Sequence, residues 1–508
     1  MTTLPGSGCV PSPQAGRSAG DCIHDANCLS KIHLECPAGF CFDKPMNTTQ
    51  QSLQDLRLGH SLSRSAQFSL IFRLSLPAIL AQVASTLMQL IDASMAGRLG
   101  SLAAASIGLV ASSTWLFSGI CRGVIYGFSV QTAQTIGAGQ DDKAARICRQ
   151  GLFAILLFAL TLAAAGLLMA PHLPVWLHGE EAIHSMASAY FGWWCAFLPF
   201  LMLNEWAVQM LQATGNTRLP GLLQVLMCLL DVLFNWFFIF RLQLGVTGAA
   251  IGTGAAAMCT SLYLTWFTLF RSPFLSGQHS FAFRKETVKK AVTIGLPVSI
   301  EQLVTGSGYV IFTRIVAGLG SIPVAANSFA ITAESLAYMP GFGIASAAGA
   351  IIGQCVGAGR KKLTQSLAWR IECTGIAVMS VMGVALWVLA PVLMQLLSVD
   401  PAVQELGTRV LRIEAFAEPM YGAAIVATGI LRGKGDTLWP TIISLVSNWG
   451  LRIPFAAAMT GFGLPGVWFA MAFELNCRGL LFLFRLRRSF PPDRGGRPEK
   501  IQRDPVPV

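Results

Sequence analysis

Long apolar stretches separated by short polar connections dominate the chain. Most of these stretches exceed the roughly 20 residues that a helix needs to cross a bilayer, and many contain Gly, Pro, Ser and Thr, which membrane helices tolerate. The pattern predicts an all-α membrane protein with twelve transmembrane helices. The predicted spans are 68–97, 102–134, 148–171, 185–211, 219–241, 246–270, 290–318, 322–353, 367–397, 406–432, 438–460 and 464–486.

The apolar pattern is duplicated. QTIGAG at 134–139 is matched by QCVGAG at 354–359, and LQATGNTRLP at 211–220 by LRGKGDTLWP at 431–440. Both pairs are separated by an offset of 220 residues. The offset falls to 218 where LGVTG at 244–248 matches FGLPG at 462–466. Because six spans return the chain to its starting side, the copies share one orientation. We therefore expect two six-helix lobes related by a pseudo-two-fold axis along the membrane normal, a parallel repeat.

Polar stretches set the expected domain boundaries. The segment 1–65 is rich in Gly, Pro and Ser and predicts a disordered cytoplasmic tail, within which Met46 is a possible alternative start. The predicted domains are the tail at 1–65, an N-terminal lobe at 66–271, a cytoplasmic linker at 272–289, a C-terminal lobe at 290–488 and a cytoplasmic tail at 489–508.

Composition excludes several classes of protein. The chain is 53% hydrophobic and only 12% charged, whereas a soluble domain is about 25% charged. Its net charge of +11 is concentrated in alternate connections, as the positive-inside rule requires of a membrane protein. No nucleic-acid-binding motif accompanies it. We expect a multi-pass monomer of the bacterial inner membrane with both termini in the cytoplasm, and no nucleic-acid partner.

Ionisable residues inside the N-terminal spans are the first candidates for chemistry, because a charge at the bilayer centre costs roughly 2.5–3.5 kcal/mol. Asp92 lies in span 1, and Asp231 and Asn235, four apart, share one face of span 5. Tyr190 in span 4 and Thr253 in span 6 are expected at similar depth. These oxygen-bearing side chains suit a proton or a hard cation such as Na⁺; the alternative is that the hydroxyls bond backbone carbonyls.

The C-terminal lobe contains a second set of acids. These secondary candidates for the coupling site are Glu301 in span 7, Glu334 in span 8, and Glu414 and Glu418 in span 10. The alternative is structural ion pairing inside the bundle. The basic residues available for it are Arg314, Arg409, Arg412 and Arg452.

Signatures of other activities are missing from the sequence. No HExxH, GxSxG or kinase pattern occurs, and the two GAG motifs lack the GxxxxGK[ST] of a phosphate loop. The tail cysteines lack tight CxxC pairs, so their spacing does not favour a zinc site. We therefore predict no enzymatic activity and no cofactor or metal beyond a coupling H⁺ or Na⁺ at Asp92, Asp231 and Asn235, with energy taken from an ion gradient.

The ordered set of motifs resembles the MATE family of multidrug and toxic compound extrusion antiporters. LPAIL, LID, GRLG, QTIGAG, ATGNTRLP and LGVTGAAIGT carry the likeness in the first half, and IGLP, QCVGAG, RIPF and GVWFAM in the second. The likeness covers about residues 66–488. It implies a two-lobed transporter that exports drugs, toxins or organic cations in exchange for H⁺ or Na⁺ by alternating access.

Within that family, the chain resembles the DinF-like branch, because it has an acid in span 1. The resemblance implies an N-lobe cation site at Asp92, Asp231, Asn235, Tyr190 and Thr253. The order within span 5 departs from the branch, because Asp231 precedes Asn235 where Asn then Asp is expected. The other branch uses acids of spans 7 and 10, which Glu301 and Glu414 match only in part. This leaves the ion and the lobe that binds it open.

Two other functions fit the architecture. A lipid-linked precursor flippase or metabolite exporter of the same superfamily is the first, although a basic cavity would suit it better than the acidic interior predicted here. A gated channel or a membrane scaffold is the second, and the duplicated halves with paired intramembrane acids argue against it.

Overall fold

The computed structural model describes residues 53–55, 63–276 and 284–491, and within these ranges the secondary structure is helical, without strands. The predictions for the N-terminal tail and for a start at Met46 lie outside the described residues, apart from the last few positions of the tail. The same holds for most of the C-terminal tail and for the centre of the linker.

The N-terminal lobe consists of six long helices, with a single turn, Leu173–Trp176, between the third and the fourth. The helices are α1 (Arg64–Arg98), α2 (Ser101–Gly137), α3 (Asp141–Met169), α4 (Glu181–Ala213), α5 (Arg218–Asn235, extended by a π-helical turn, Trp236–Arg241) and α6 (Gly245–Phe270).

The C-terminal lobe repeats this order. Its helices are α7 (Lys285–Ala317), α8 (Ser321–Gly357), α9 (Lys361–Leu397), α10 (Pro401–Ala415 and Glu418–Lys434), α11 (Leu438–Ser447, a π-helical turn Asn448–Arg452, and Ile453–Ala458) and α12 (Gly463–Ser489). The twelve predicted helices are confirmed. The largest differences are at α3 and α9, which begin at Asp141 and Lys361, several residues before the predicted spans.

Length and composition alone identify fewer crossings than the helices do. Among the described residues, eight helical stretches are long and apolar enough to cross a membrane, and the last of them, Leu438–Ser489, combines α11 and α12. The helices that do not qualify are α6, α7 and α10. Charges at the start of α7 and the break between the two parts of α10 account for two of these omissions.

The turns between helices preserve the repeat in the backbone. Glycines with positive φ end or begin helices at equivalent places in the two lobes, where a side chain would be strained. The pairs are Gly100 with Gly320, Gly139 with Gly359, Gly215 with Gly435, and Gly245 with Gly463. The first three pairs keep the common offset of the repeat and the last falls two short of it, as the sequence predicts.

Helix packing obeys the same two-fold relation. Within the N-terminal lobe α4 packs against α2 and α6, and within the C-terminal lobe α10 packs against α8 and α12. Between the lobes α2 packs against α7, and α8 packs correspondingly against α1. The first helix of each repeat therefore contacts both lobes.

The helices α2 and α8 cross where their C-terminal ends meet. We call this end of the molecule the basic end, because Lys143, Arg146, Lys361 and Lys362 follow the crossing, and we call the opposite end the far end. A Cβ atom on Gly137 would collide with the backbone of α8, and one on Gly357 would collide with the backbone of α2. The two backbones are thus in direct contact.

Two glutamines fasten this crossing to the opposite lobe. The Gln134 side chain donates hydrogen bonds to the carbonyl oxygens of Gly433 at 3.3 Å and Lys434 at 3.1 Å. Its repeat equivalent, Gln354, donates to the carbonyl oxygen of Ala213 at 2.7 Å. The acceptors lie in the last turns of α10 and α4, where carbonyls lack partners within the helix. The lobes are therefore joined symmetrically at the basic end.

We expect Gly137→Ala to lower the thermal stability of the purified protein. The added methyl group must displace the α8 backbone, and overpacking of this kind costs about 1–3 kcal/mol. Gly108→Ala is the matched control, because Gly108 lies in the same helix with open space around its Cβ position. There the helix propensity of Ala should leave the stability equal or higher. Equal unfolding temperatures for the two variants would contradict the close crossing.

Candidate cation-binding site

One amide group joins two carboxylates inside the N-terminal lobe. Asn235 Nδ2 donates to Asp92 Oδ1 at 2.8 Å and to Asp231 Oδ2 at 3.1 Å. Asp231 and Asn235 are fully enclosed by protein, whereas Asp92 is half-buried. The two acids predicted as candidates are therefore brought together, with the amide between them.

Three helices position this group. Asp231 and Asn235 are one turn apart on α5, so both face α1, which packs along α5 and carries Asp92. From the other side α6 presents Gly252, where a Cβ atom would overlap Asn235 Oδ1. The α-helical geometry of α5 ends at Asn235 and a π-helical turn follows, a departure that is frequent at functional sites.

The two weaker candidates of this lobe lie beside the carboxylates. Thr253, next to Gly252 on α6, lies close to the Asp231 carboxyl group. Tyr190 on α4 is close enough to interact electrostatically with both Asp92 and Asp231. All five residues predicted for the N-lobe site therefore share one place in the structure, contributed by α1, α4, α5 and α6.

The charge balance of this group favours a cation. Asp231 Oδ1 and Asn235 Oδ1 are buried without a hydrogen-bond partner among the described residues. No Lys or Arg of the described chain forms an ion pair with either carboxylate. A buried charge without a partner is costly, so two carboxylates this close together would be stabilised by a small bound cation. Carboxylate, amide and hydroxyl oxygens are ligands suited to such a cation.

In the C-terminal lobe, Glu301 forms a structural ion pair. Its carboxylate lies 2.9 Å from Arg432 Nη2 and accepts hydrogen bonds from Thr441 and Ser444, each at 3.2 Å. The Arg432 guanidinium also lies over the ring of Tyr126 on α2, 5.2 Å from its centroid. Pairing was the alternative expected for Glu301. The partner of Glu301 is Arg432, in the last turn of α10, and not one of the four arginines named as available for pairing.

The other three C-lobe acids form a second buried group. Glu414 and Glu418 are fully buried, and neither carboxyl group has a hydrogen-bond partner among the described residues. Glu334 on α8 is within electrostatic range of both, and Arg452 is within range of Glu334 and Glu414. The predicted secondary candidates therefore divide into one acid held in an ion pair and three without one among the described residues.

One buried acid, Glu372, and the ion pair between Glu474 and Arg452 were not identified from the sequence. Glu372, on α9, is fully buried with both carboxylate oxygens unpartnered among the described residues; its lone position in the apolar run IECTGIAVMS was the available signal. Glu474 contacts Arg478 one turn away at 3.2 Å, and it also contacts Arg452 at 2.7 Å. Arg452 therefore forms an ion pair, with Glu474 and not with one of the four candidate acids.

Known proteins resemble the chain over most of its length. The MatE family model matches residues 77–237 and 297–458. The probable multidrug resistance protein NorM of Thermotoga maritima is 24% identical over 81% of this chain and 90% of its own. The NorM of Pseudomonas syringae is 27% identical over 82% of this chain and 93% of its own. These relatives are named as resistance proteins, not as enzymes.

Solved structures share the fold. A mutant of the Vibrio cholerae MATE transporter VcmN superposes with a TM-score of 0.79, covering 88% of this chain and 99% of its own at 20% identity. A MOP superfamily transporter from Pyrococcus furiosus superposes with a TM-score of 0.80. The match covers 87% of this chain and 98% of the transporter at 20% identity. At these identities the likeness concerns the two-lobed fold.

We expect Arg432→Gln to destabilise the protein by about 3 kcal/mol, because it leaves Glu301 inside the lobe without its counter-charge. Adding Glu301→Gln in the same chain should restore part of that loss. Thermal unfolding in detergent measures both effects, with Arg98→Gln at the exposed end of α1 as the control for a lost positive charge. A double variant less stable than Arg432→Gln alone would contradict the pairing.

Proposed function

The chain belongs to the MatE family, and on that premise we propose that it is a multidrug efflux transporter that exchanges a small organic cation for H⁺ or Na⁺. The observation that carries the proposal is the bridge from Asn235 to Asp92 and Asp231, with buried oxygens left unpartnered beside it. A cation that enters this group neutralises charge that the described protein leaves unpaired. The names of the relatives support efflux of drugs as the transport task.

The basic end indicates how the protein is oriented in the membrane and which side of the pathway is closed. Positively charged connections lie on the cytoplasmic side of bacterial inner-membrane proteins, which supports a cytoplasmic location for the α2–α8 crossing and for both termini. The close backbone contacts at that crossing then seal the pathway on the cytoplasmic side. The proposed state is one in which the lobes open outward, so that substrate leaves and the coupling cation enters from outside.

Helix α1 gives the site a means to move the lobes. It carries Asp92 and packs against α5 in its own lobe, and it also packs against α8 of the other lobe, where Ile79 lies against Gly343. Neutralising Asp92 weakens its hold on the Asn235 amide, because a protonated or metal-bound carboxylate is a weaker acceptor. A change in the packing of α1 on α5 is thereby transmitted to the interface between the lobes.

The interior favours a cationic substrate. The acids of the two lobes outnumber the basic residues that face them. The rings of Tyr338 and Tyr421 pack edge to face, with their centroids 5.4 Å apart, close to Glu334 and Glu418. Aromatic faces and carboxylates together attract organic cations. The same acidity disfavours the anionic head of a lipid-linked precursor. The proposal involves a single chain, no cofactor and no resident metal other than the coupling ion.

The decisive experiment is efflux of ethidium from proteoliposomes, with a proton gradient or a sodium gradient imposed separately. The gradient that drives efflux identifies the coupling ion. Efflux that is saturable and stops when the gradient collapses is expected. Passive flux that is independent of both gradients would contradict antiport.

We predict that Asp92→Asn and Asp231→Asn each reduce gradient-driven efflux at least tenfold, because the loss of one carboxylate removes the excess negative charge that attracts the coupling cation. Asp400→Asn is the matched control: its carboxylate caps α10 by accepting from the Ala402 amide at 2.9 Å, and Asn caps equally well. Wild-type efflux in a folded Asp92→Asn variant would defeat the assignment of the site.

A further inference from the structure

A lateral groove on the C-terminal lobe is separate from the coupling site. It has a volume of about 1030 Å³ and lies between α9, α10 and α12. The first part of α10 forms the floor, and Pro391 of α9 and Phe469 and Phe473 of α12 form the walls. We propose that this groove binds an anionic glycerophospholipid of the far leaflet, with its phosphate held by Arg409 and Arg412.

The charges in the groove have no ion-pair partners. Arg409, Arg412 and Glu405 line it and are exposed, and none of them forms an ion pair with another described residue. The Arg412 guanidinium lies over the ring of Trp387, 5.0 Å from its centroid. This contact orients Arg412 without neutralising it. Two arginines and one glutamate leave one net positive charge for an anion.

The groove faces lipid and not the transport pathway. On α10 the buried side carries Val410 and Glu414, which point into the lobe. Arg409 and Arg412 lie on the opposite side of the same helix, where both are exposed. A charged side chain that faces lipid is costly unless it meets water or a headgroup. The arrangement therefore calls for a polar group of the bilayer at this position.

The depth of the arginines agrees with a headgroup. From Pro401 to Lys434, α10 rises about 50 Å, whereas the hydrocarbon core is about 30 Å thick. If the excess is shared between the ends, about 10 Å of helix projects beyond the core at the far end, and Arg409 lies near the boundary. Long Arg side chains reach from there to the phosphates. By the same count Phe469 of α12 lies at about the level of the arginines, and Phe473 lies about one turn deeper, where the acyl chains begin.

The internal repeat supplies a comparison within the same chain. The positions of the first copy that correspond to Glu405, Arg409 and Arg412 are Ser185, Ala189 and Gly192 on α4. The equivalent surface of the N-terminal lobe thus carries none of the three charges. The charged groove is consequently a feature of one lobe and not a requirement of the shared fold.

The test is native mass spectrometry of the full chain released from micelles that contain equal amounts of phosphatidylglycerol and phosphatidylcholine. We expect the wild type to retain phosphatidylglycerol about ten- to thirtyfold better, the effect of two basic residues at an anionic headgroup. Arg409→Gln/Arg412→Gln should abolish this preference. Arg98→Gln/Arg241→Gln, which removes two exposed arginines elsewhere at the far end, should keep it.

Two further measurements keep the proposal falsifiable if the double variant fails to fold. Glu405→Gln removes the negative charge of the groove and should raise the preference for phosphatidylglycerol about fivefold. Inorganic phosphate at millimolar concentration should not displace the lipid, because it lacks the acyl chains. The proposal is overturned if the wild type shows no preference for phosphatidylglycerol over phosphatidylcholine, or if free phosphate displaces phosphatidylglycerol.

Discussion

The direct contact of the α2 and α8 backbones is the constraint on which the rest of the structure depends. Two long helices can touch along their backbones only where both lack side chains, and Gly137 and Gly357 meet that condition at the basic end. Gln134 and Gln354 then use carbonyl groups in the last turns of α10 and α4, which would otherwise lack partners. Because each lobe supplies one glutamine and the helix end that accepts from the other lobe's glutamine, the closure is formed from both sides.

The two lobes keep one frame but place their chemistry at different positions. The offset of the repeat pairs Asp92 with Phe312 and Asn235 with Phe455, so the carboxylate–amide group has no copy in the second lobe. Conversely, the positions equivalent to Glu334, Glu414 and Glu418 are Thr114, Trp194 and Leu198. The repeat thus preserves where helices pack and turns reverse, together with the two glutamines that join the lobes, whereas the acidic groups differ between the lobes because each interacts only with neighbours in its own lobe.

The sequence predicts the fold well because its signals are local or repeated. Apolar length locates the helices, and the duplicated glycines locate the turns. The approach of Asp231 and Asn235 follows from their spacing of four on one helix, and their meeting with Asp92 agrees with the similar depth of the three residues. The pairing of Glu301 with Arg432 could not be predicted in this way, because it joins α7 to the end of α10 and depends on how those helices are rotated. For the same reason, nothing in the sequence separated the paired Glu301 from the unpartnered Glu414.

Helix α1 carries the most accessible acid of the N-lobe group and also contacts both lobes. Asp92 is only half-buried, whereas Asp231 and Asn235 are enclosed, so the α1 side of the group is its accessible side. Helix α1 contains Pro77, which cannot donate a backbone hydrogen bond and therefore leaves a weak point in the helix. The Pro77 carbonyl lies against Gly221 of α5, and two residues later Ile79 lies against Gly343 of α8. The segment of α1 least able to resist bending is thus the one that contacts both lobes, and it is the route by which the proposed change at Asp92 would reach the interface between them.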